Sequence, residues 1–256
     1  MQQASGTDRR SDGAAGETDA LALRVQKIGD AIGLPCIAAS GDIGSPQPIR
    51  GADGRPFAET LFRWVDPDLK YWEDRGFALR AFFIQAVRVC SEPFYFKDGK
   101  LASWRPHPAL DAINRIGATE RFGVGAAIVA PAYLPGGVIG AVVWATADTD
   151  FPVAEAFSRH APELQALALH FVAADHDHLA RQAASAPAQL TRREIQCLKW
   201  GAAGKTDAEI AVIMSISVPT VRFHITNAAR KLDVSGRSQA IYRAATLGYV
   251  GSSGQH

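Results

Sequence analysis

The chain has 256 residues, 47% of them hydrophobic, and a formal net charge of +1. That length suits two domains better than one, and the apolar content is ample for real cores. No apolar run approaches a membrane span and the N-terminus is polar, unlike a secretion signal, so a cytoplasmic protein with no membrane partner is expected. Cys36, Cys90 and Cys197 are odd in number, spread out and set among apolar neighbours. They read as reduced thiols, not as a disulfide framework or a metal site.

In chain order, residues 1–18 lack periodicity and are expected to be disordered. Residues 19–181 read as an α+β domain, an α/β/α sandwich around an antiparallel sheet. ALALRVQKIGDAIGLP is an amphipathic helix closed by Gly33 and Pro35, and CIAAS starts a strand. DLKYWEDRGFALRAFFIQAVRVC is helical in two pieces, and HPALDAINRIGATE is a helix opened by Pro108. Ala126–Ala130 and Val138–Ala145 are apolar and β-branched around Pro135-Gly136-Gly137, the pattern of a strand hairpin. A long helix follows over about 153–181. QAASAPAQ at 182–189 is a linker of small residues.

Residues 190–250 hold four short helical patterns. Thr191 with Glu194 and Thr206 with Glu209 are capping boxes, each starting a helix. Ile195, Leu198 and Ala202 form the first apolar stripe, and Ile210, Ile213 and Met214 the second. After the break at Ser215-Ile216-Ser217, Ser217 can cap a third helix, where Pro219 is tolerated in the first turn. Val221, Ile225, Ala228 and Leu232 face inward there, leaving Arg222, Thr226 and Arg230 on another face beside Phe223 and Asn227. A short helix, a turn and a longer helix form a helix-turn-helix unit. Nine basic against four acidic residues give 190–249 a net +5, on a remainder near −4. A basic module on a slightly acidic body points to double-stranded DNA as partner. Residues 251–256 form a short tail.

LTRREIQCL, GKTDAEIA, TVRFHITNAARKL and TLGYV resemble the C-terminal domain of LuxR-type transcription regulators. The resemblance implies an all-α four-helix domain that dimerises through its last helix, here along Ile241, Ala244, Ala245 and Leu247. It implies that Arg222 and Thr226 read bases beside Phe223 in an inverted-repeat site. Thr206, Lys231, Arg237 and Ser238 are then backbone contacts, while Glu194, Leu198 and Gly204 hold the fold. Pro219 departs from the polar or acidic residue usual in the family.

The order of elements in 19–181 resembles the autoinducer-binding domain of the quorum-sensing members. Its anchors are DRGFALRAFFIQAVR, Pro93-Phe94 and Phe122-Gly123. Counted from these, the family's ligand-contacting tyrosine falls on Trp64 and its tryptophans on Asp68 and Phe96. Its amide-binding aspartate falls on Ala81, and a Ser/Thr falls on Val129. An amide N–H buried without an acceptor costs about 1–3 kcal/mol. The pocket implied is an aromatic cavity of Trp64, Tyr71, Trp72, Phe77, Phe82, Phe83, Phe94 and Phe96, suited to a small apolar signal other than an acyl-homoserine lactone. The alternatives are a ligand-independent regulator whose side chains fill the pocket, or a modulator that pairs with a related regulator. His176 and His178 lie two apart on a helix and diverge, so no metal or cofactor is expected. Nothing resembles a nucleophile with its base, and no enzyme is expected.

Overall fold

The computed structural model describes residues 8–45, 47–69, 81–117, 123–182 and 189–251. The chain divides into two compact units, with the main boundary after residue 184. The linker positions 183–188 and the anchor Phe122 lie outside the described residues.

The first unit is built on an antiparallel five-stranded sheet. In chain order its elements are α1 (Asp8–Ile32), β1 (Cys36–Ser40), the one-turn α2 (Phe57–Thr60) and α3 (Phe82–Val89). Then come β2 (Phe94–Lys97), β3 (Lys100–Ala102), α4 (Pro108–Ile116), β4 (Ala126–Tyr133), β5 (Ile139–Thr146) and α5 (Val153–Gln182). The strand order is β1-β5-β4-β2-β3. The expected hairpin is β4 and β5, paired in register from Ala126 with Thr146 to Tyr133 with Ile139. Its turn is a 3₁₀ turn over Pro135–Gly137, where Gly136 and Gly137 have φ of 85° and 80°.

Period-two alternation divides the core into two layers. Ala126, Ile128, Ala130, Val142 and Trp144 pack with Val25 of α1 and with Leu164 and Phe171 of α5. Ala127, Val129, Val143 and Ala145 face the other way, onto Phe82, Phe83 and Val87 of α3 and Leu110 and Ile113 of α4. Trp144 is fully buried, and its Nε1 donates to the Val25 carbonyl at 2.9 Å, tying sheet to helix. Gly140 lets α5 lie close, since a Cβ there would come within 2.5 Å of Val172.

One expectation needs correction here, and one element is new. Helix α1 begins at Asp8, so much of the stretch read as disordered is its first turns. Extending a helix that packing has already nucleated adds a hydrogen bond per residue, and Ala14, Ala15 and Glu17 do not oppose it. The β2–β3 hairpin, absent from the sequence reading, turns at Asp98-Gly99, both with positive φ. Such an Asp-Gly pair is a strong local hairpin signal.

The second unit comprises α6 (Arg192–Ala202), α7 (Asp207–Met214), α8 (Val218–Lys231) and α9 (Arg237–Thr246). Thr191 and Thr206 close full capping boxes, and the Ser217 side chain caps α8. Helices α7 and α8 meet at a bend of 106°, with Ser215 in the left-handed conformation between them. That is the angle of a helix-turn-helix. Val221, Ile225, Ala228 and Leu232 are buried as expected. Elsewhere the stripes shift. Cys197 and Gly201, not Ile195 and Ala202, join Leu198 in burial on α6, and Ile213 is 42% exposed. Ala244 is fully buried in its own core, so it cannot serve the expected face between protomers; Tyr242, Arg243, Ala245 and Leu247 are exposed there. Among the described residues, no single helix is long and apolar enough to cross a membrane.

Candidate functional site

Helix α8 presents a continuous outward face. Burying Val221, Ile225 and Ala228 on one side forces Arg222, Phe223, Thr226 and Arg230 to the other, where all four are exposed. Phe223 is 62% exposed, a large ring left in water without structural gain. Its ring lies edge-to-face with that of His224, the centroids 5.7 Å apart. Arg222, Thr226, Arg230 and Arg237 line one open concavity of about 860 Å³ with Asp207 at its side. An exposed helix carrying guanidinium, hydroxyl and aromatic groups has the shape and chemistry to enter a major groove.

Other expected contacts are engaged within the protein. The Thr206 hydroxyl donates to Glu209 Oε2 at 2.9 Å and accepts from the Glu209 N–H at 3.3 Å. The Thr206 N–H and hydroxyl hold the Glu209 carboxyl below its ordinary pKa range. Lys231 Nζ donates to Glu194 Oε2 at 2.9 Å, and the Glu194 side chain is 4% exposed. Burial alone would raise the Glu194 carboxyl, but the Thr191 N–H and the Lys231 ammonium bring it below the usual range. Arg237 Nη2 donates to the Lys205 carbonyl at 2.5 Å, and its Nε lies 3.4 Å from Asp207 Oδ1. Ser238 is exposed. Sequence reasoning missed two groups of this machinery, Asp207 and the link from Glu194 to Lys231. Their partners lie 15 to 37 positions away, and no local pattern announces them.

In the sensor unit, Trp64, Phe82, Phe96 and Val129 come together on the sheet face covered by α3 and α4, and Ala81 is the residue that precedes the first turn of α3. Ala81 and Val129 are fully buried and Phe96 is 2% exposed. Phe82, Phe83 and Phe96 interlock edge-to-face, with ring centroids 5.4 to 6.2 Å apart. Phe94 is buried in the same layer. Asp68 is not brought in. It is exposed on a turn where its own N–H is bonded by Asp66 Oδ1 at 3.0 Å. Tyr71, Trp72 and Phe77 lie outside the described residues.

A sheet-based unit with an aromatic core, followed by a basic helix-turn-helix unit with a free recognition helix, is the build of a DNA-binding regulator. Comparison with known proteins gives the family. Residues 188–244 match the model of the bacterial regulatory proteins of the luxR family, and residues 49–174 match the autoinducer binding domain. The chain is 29% identical over 247 residues to the HTH-type quorum sensing-dependent transcriptional regulator VjbR of Brucella ovis, covering 93% of this chain and 90% of VjbR. It is 51% identical over 63 residues to the transcriptional activator protein VanR of Vibrio anguillarum, 25% of this chain and 26% of VanR. Among solved structures, SdiA of Escherichia coli aligns at 21% identity and a TM-score of 0.45, over 71% of this chain and 73% of SdiA. The chain belongs to the LuxR family: it is a transcription regulator with an autoinducer-binding and a DNA-binding domain, and not an enzyme.

Proposed function

We propose that a cytoplasmic homodimer of this chain binds an inverted-repeat promoter site through α8, with Arg222 and Thr226 on base edges and Phe223 and Arg230 beside them. The carrying observation is the exposed Arg222-Phe223-Thr226-Arg230 face over a fully packed inner face. Arg pairs with guanine O6 and N7, and threonine bonds a base or touches a thymine methyl. Arg222→Ala is expected to cost about 1–3 kcal/mol and to relax preference at one base position in each half-site. Footprinting reads this, together with two protected half-sites about one helical turn apart. Unchanged selectivity in Arg222→Ala would remove the reading.

For the sensor domain we propose a signal that is small, apolar and without the polar head of an acyl-homoserine lactone. Hydrocarbon stands at Ala81 and Val129, where the family places an acceptor and a hydroxyl, and both positions are sealed from water. The interlocked Phe82, Phe83 and Phe96 favour a second reading, in which side chains fill the site and regulation needs no ligand. A thermal-shift series with acyl-homoserine lactones of increasing chain length tests both. Stabilisation follows the ratio of ligand concentration to dissociation constant, so little or no shift is expected. A rise of many degrees with any lactone would refute both readings.

A further inference from the structure

We infer that Asp207 is the positioning residue for Arg222, fixing the guanidinium that reads the DNA; this rests on the proposed base-reading role of Arg222. Asp207 sits in the first turn of α7, one residue past the Thr206 cap. Its Oδ2 accepts from Arg222 Nε at 3.3 Å across the angle between the two helices. Its Oδ1 is buried and faces Arg237 Nε at 3.4 Å. Arg237 is itself held by the Lys205 carbonyl. The Asp207 side chain is 23% exposed and that of Arg222 71%, so the carboxylate is the fixed member and the arginine the free one.

The geometry decides which arginine edge is spent. A guanidinium has five N–H donors in a planar fork. Binding through Nε takes one and leaves the donors of the two terminal nitrogens, on a residue that lines the open concavity. Those are the donors that a bidentate pair with guanine requires. A long free arginine loses rotamer freedom when it docks, and Asp207 removes part of that freedom before DNA arrives.

A carboxylate beside a DNA-binding face also repels phosphate. The two roles of Asp207 therefore pull affinity and selectivity in opposite directions, and this gives the test its sign. In Asp207→Asn the shape is kept and the charge removed. Binding of the full-length protein to its operator, to operators carrying each alternative base at the position relaxed by Arg222→Ala, and to random-sequence duplex is measured at fixed salt.

The expected result is a three- to tenfold loss of discrimination at that one position, with affinity for random duplex equal to wild type or higher. In an Arg222→Ala background, Asp207→Asn should cause no further loss of discrimination. Retained discrimination in Asp207→Asn overturns the inference while leaving base reading by Arg222 intact. So does a parallel loss of specific and random binding with a lowered melting temperature, which marks a merely structural carboxylate. If Arg222→Ala itself leaves every base preference unchanged, the base-reading role fails, and the positioning role with it.

Discussion

Lys231 was expected on the DNA backbone, yet its ammonium is bonded to a carboxylate inside the protein, and the two roles predict different behaviour. Glu194 Oε2 takes hydrogen bonds from the Thr191 N–H at 2.6 Å and from Lys231 Nζ at 2.9 Å. This joins the start of α6 to the end of α8. Breaking a buried ion pair by removing one partner costs about 3–5 kcal/mol when both are sealed. The Lys231 side chain is 32% exposed and the Thr191 cap remains after its loss, so about 1–2 kcal/mol is expected for Lys231→Met. Hydrogen exchange of α6 and α8 amides reads this directly, because local opening sets the exchange rate. Protection there should fall 5- to 30-fold, with the sensor-unit amides unchanged. The effect should also depend on pH. The folded Glu194 pKa is depressed, so its stabilisation is present above the unfolded value and is lost as pH falls through the folded one. Wild type and Lys231→Met should therefore converge in acid. Equal protection of the two proteins at neutral pH would refute the structural role, and a uniform drop in DNA affinity alone would return Lys231 to the phosphates.

The sensor unit offers two further tests. Burial raises the Asp175 carboxyl to about 6, with its side chain packed against Gly41, so ionising it opposes folding as pH rises from the unfolded value through about 6. Asp175→Asn should leave stability near pH 4 unchanged and raise it at pH 7.5 by roughly 1–2 kcal/mol after solvent screening; equal melting curves at pH 7.5 would exclude it. Phe96→Ala removes one ring of the interlocked aromatic trio and should cost about 3–5 kcal/mol, whereas a loss under about 1 kcal/mol in denaturant titration would mean the site is hollow.

The DNA-binding unit was legible because its signals are local. Caps, stripe and turn each lie within a few residues, and the inner positions Val221, Ile225, Ala228 and Leu232 follow one period. The mistakes there came where a neighbouring helix decides burial. Gly201 is covered because α9 lies so close that a Cβ would meet Ile241 at 2.8 Å, and no spacing within α6 records that approach. The sensor unit was harder. Its strands β4 and β5 are apolar on both faces, so alternation could not say which residues face α3. The Asp98-Gly99 turn, by contrast, is a local signal that the sequence carries. Asp68 is reached only by counting from an anchor, and a carboxylate gains nothing by entering a layer of phenylalanines.

The two units handle buried polarity differently, and that difference argues for what each recognises. In the DNA-binding unit, Glu194 and Asp207 are carboxylates held by lysine, arginine and capping N–H groups, and each spans two helices. Such fixed charges set the angle and side-chain direction of α8, as a rigid, hydrogen-bonding target demands. On the sheet face under α3 and α4, the described core includes Phe82, Phe83, Phe96, Ala127, Val129 and Val143, and among the described residues of this unit no carboxylate is fully buried. A site of that kind selects by volume and shape, and an added methylene changes its preference by only about 1–3 kcal/mol. A polar lactone head would have to leave water for hydrocarbon there without matching partners, at about 1–3 kcal/mol for each unmet group. Two such groups are enough to lower affinity about thirtyfold or more. On the proposed reading, the occupant of this face, a signal or the side chains themselves, is hydrocarbon in character.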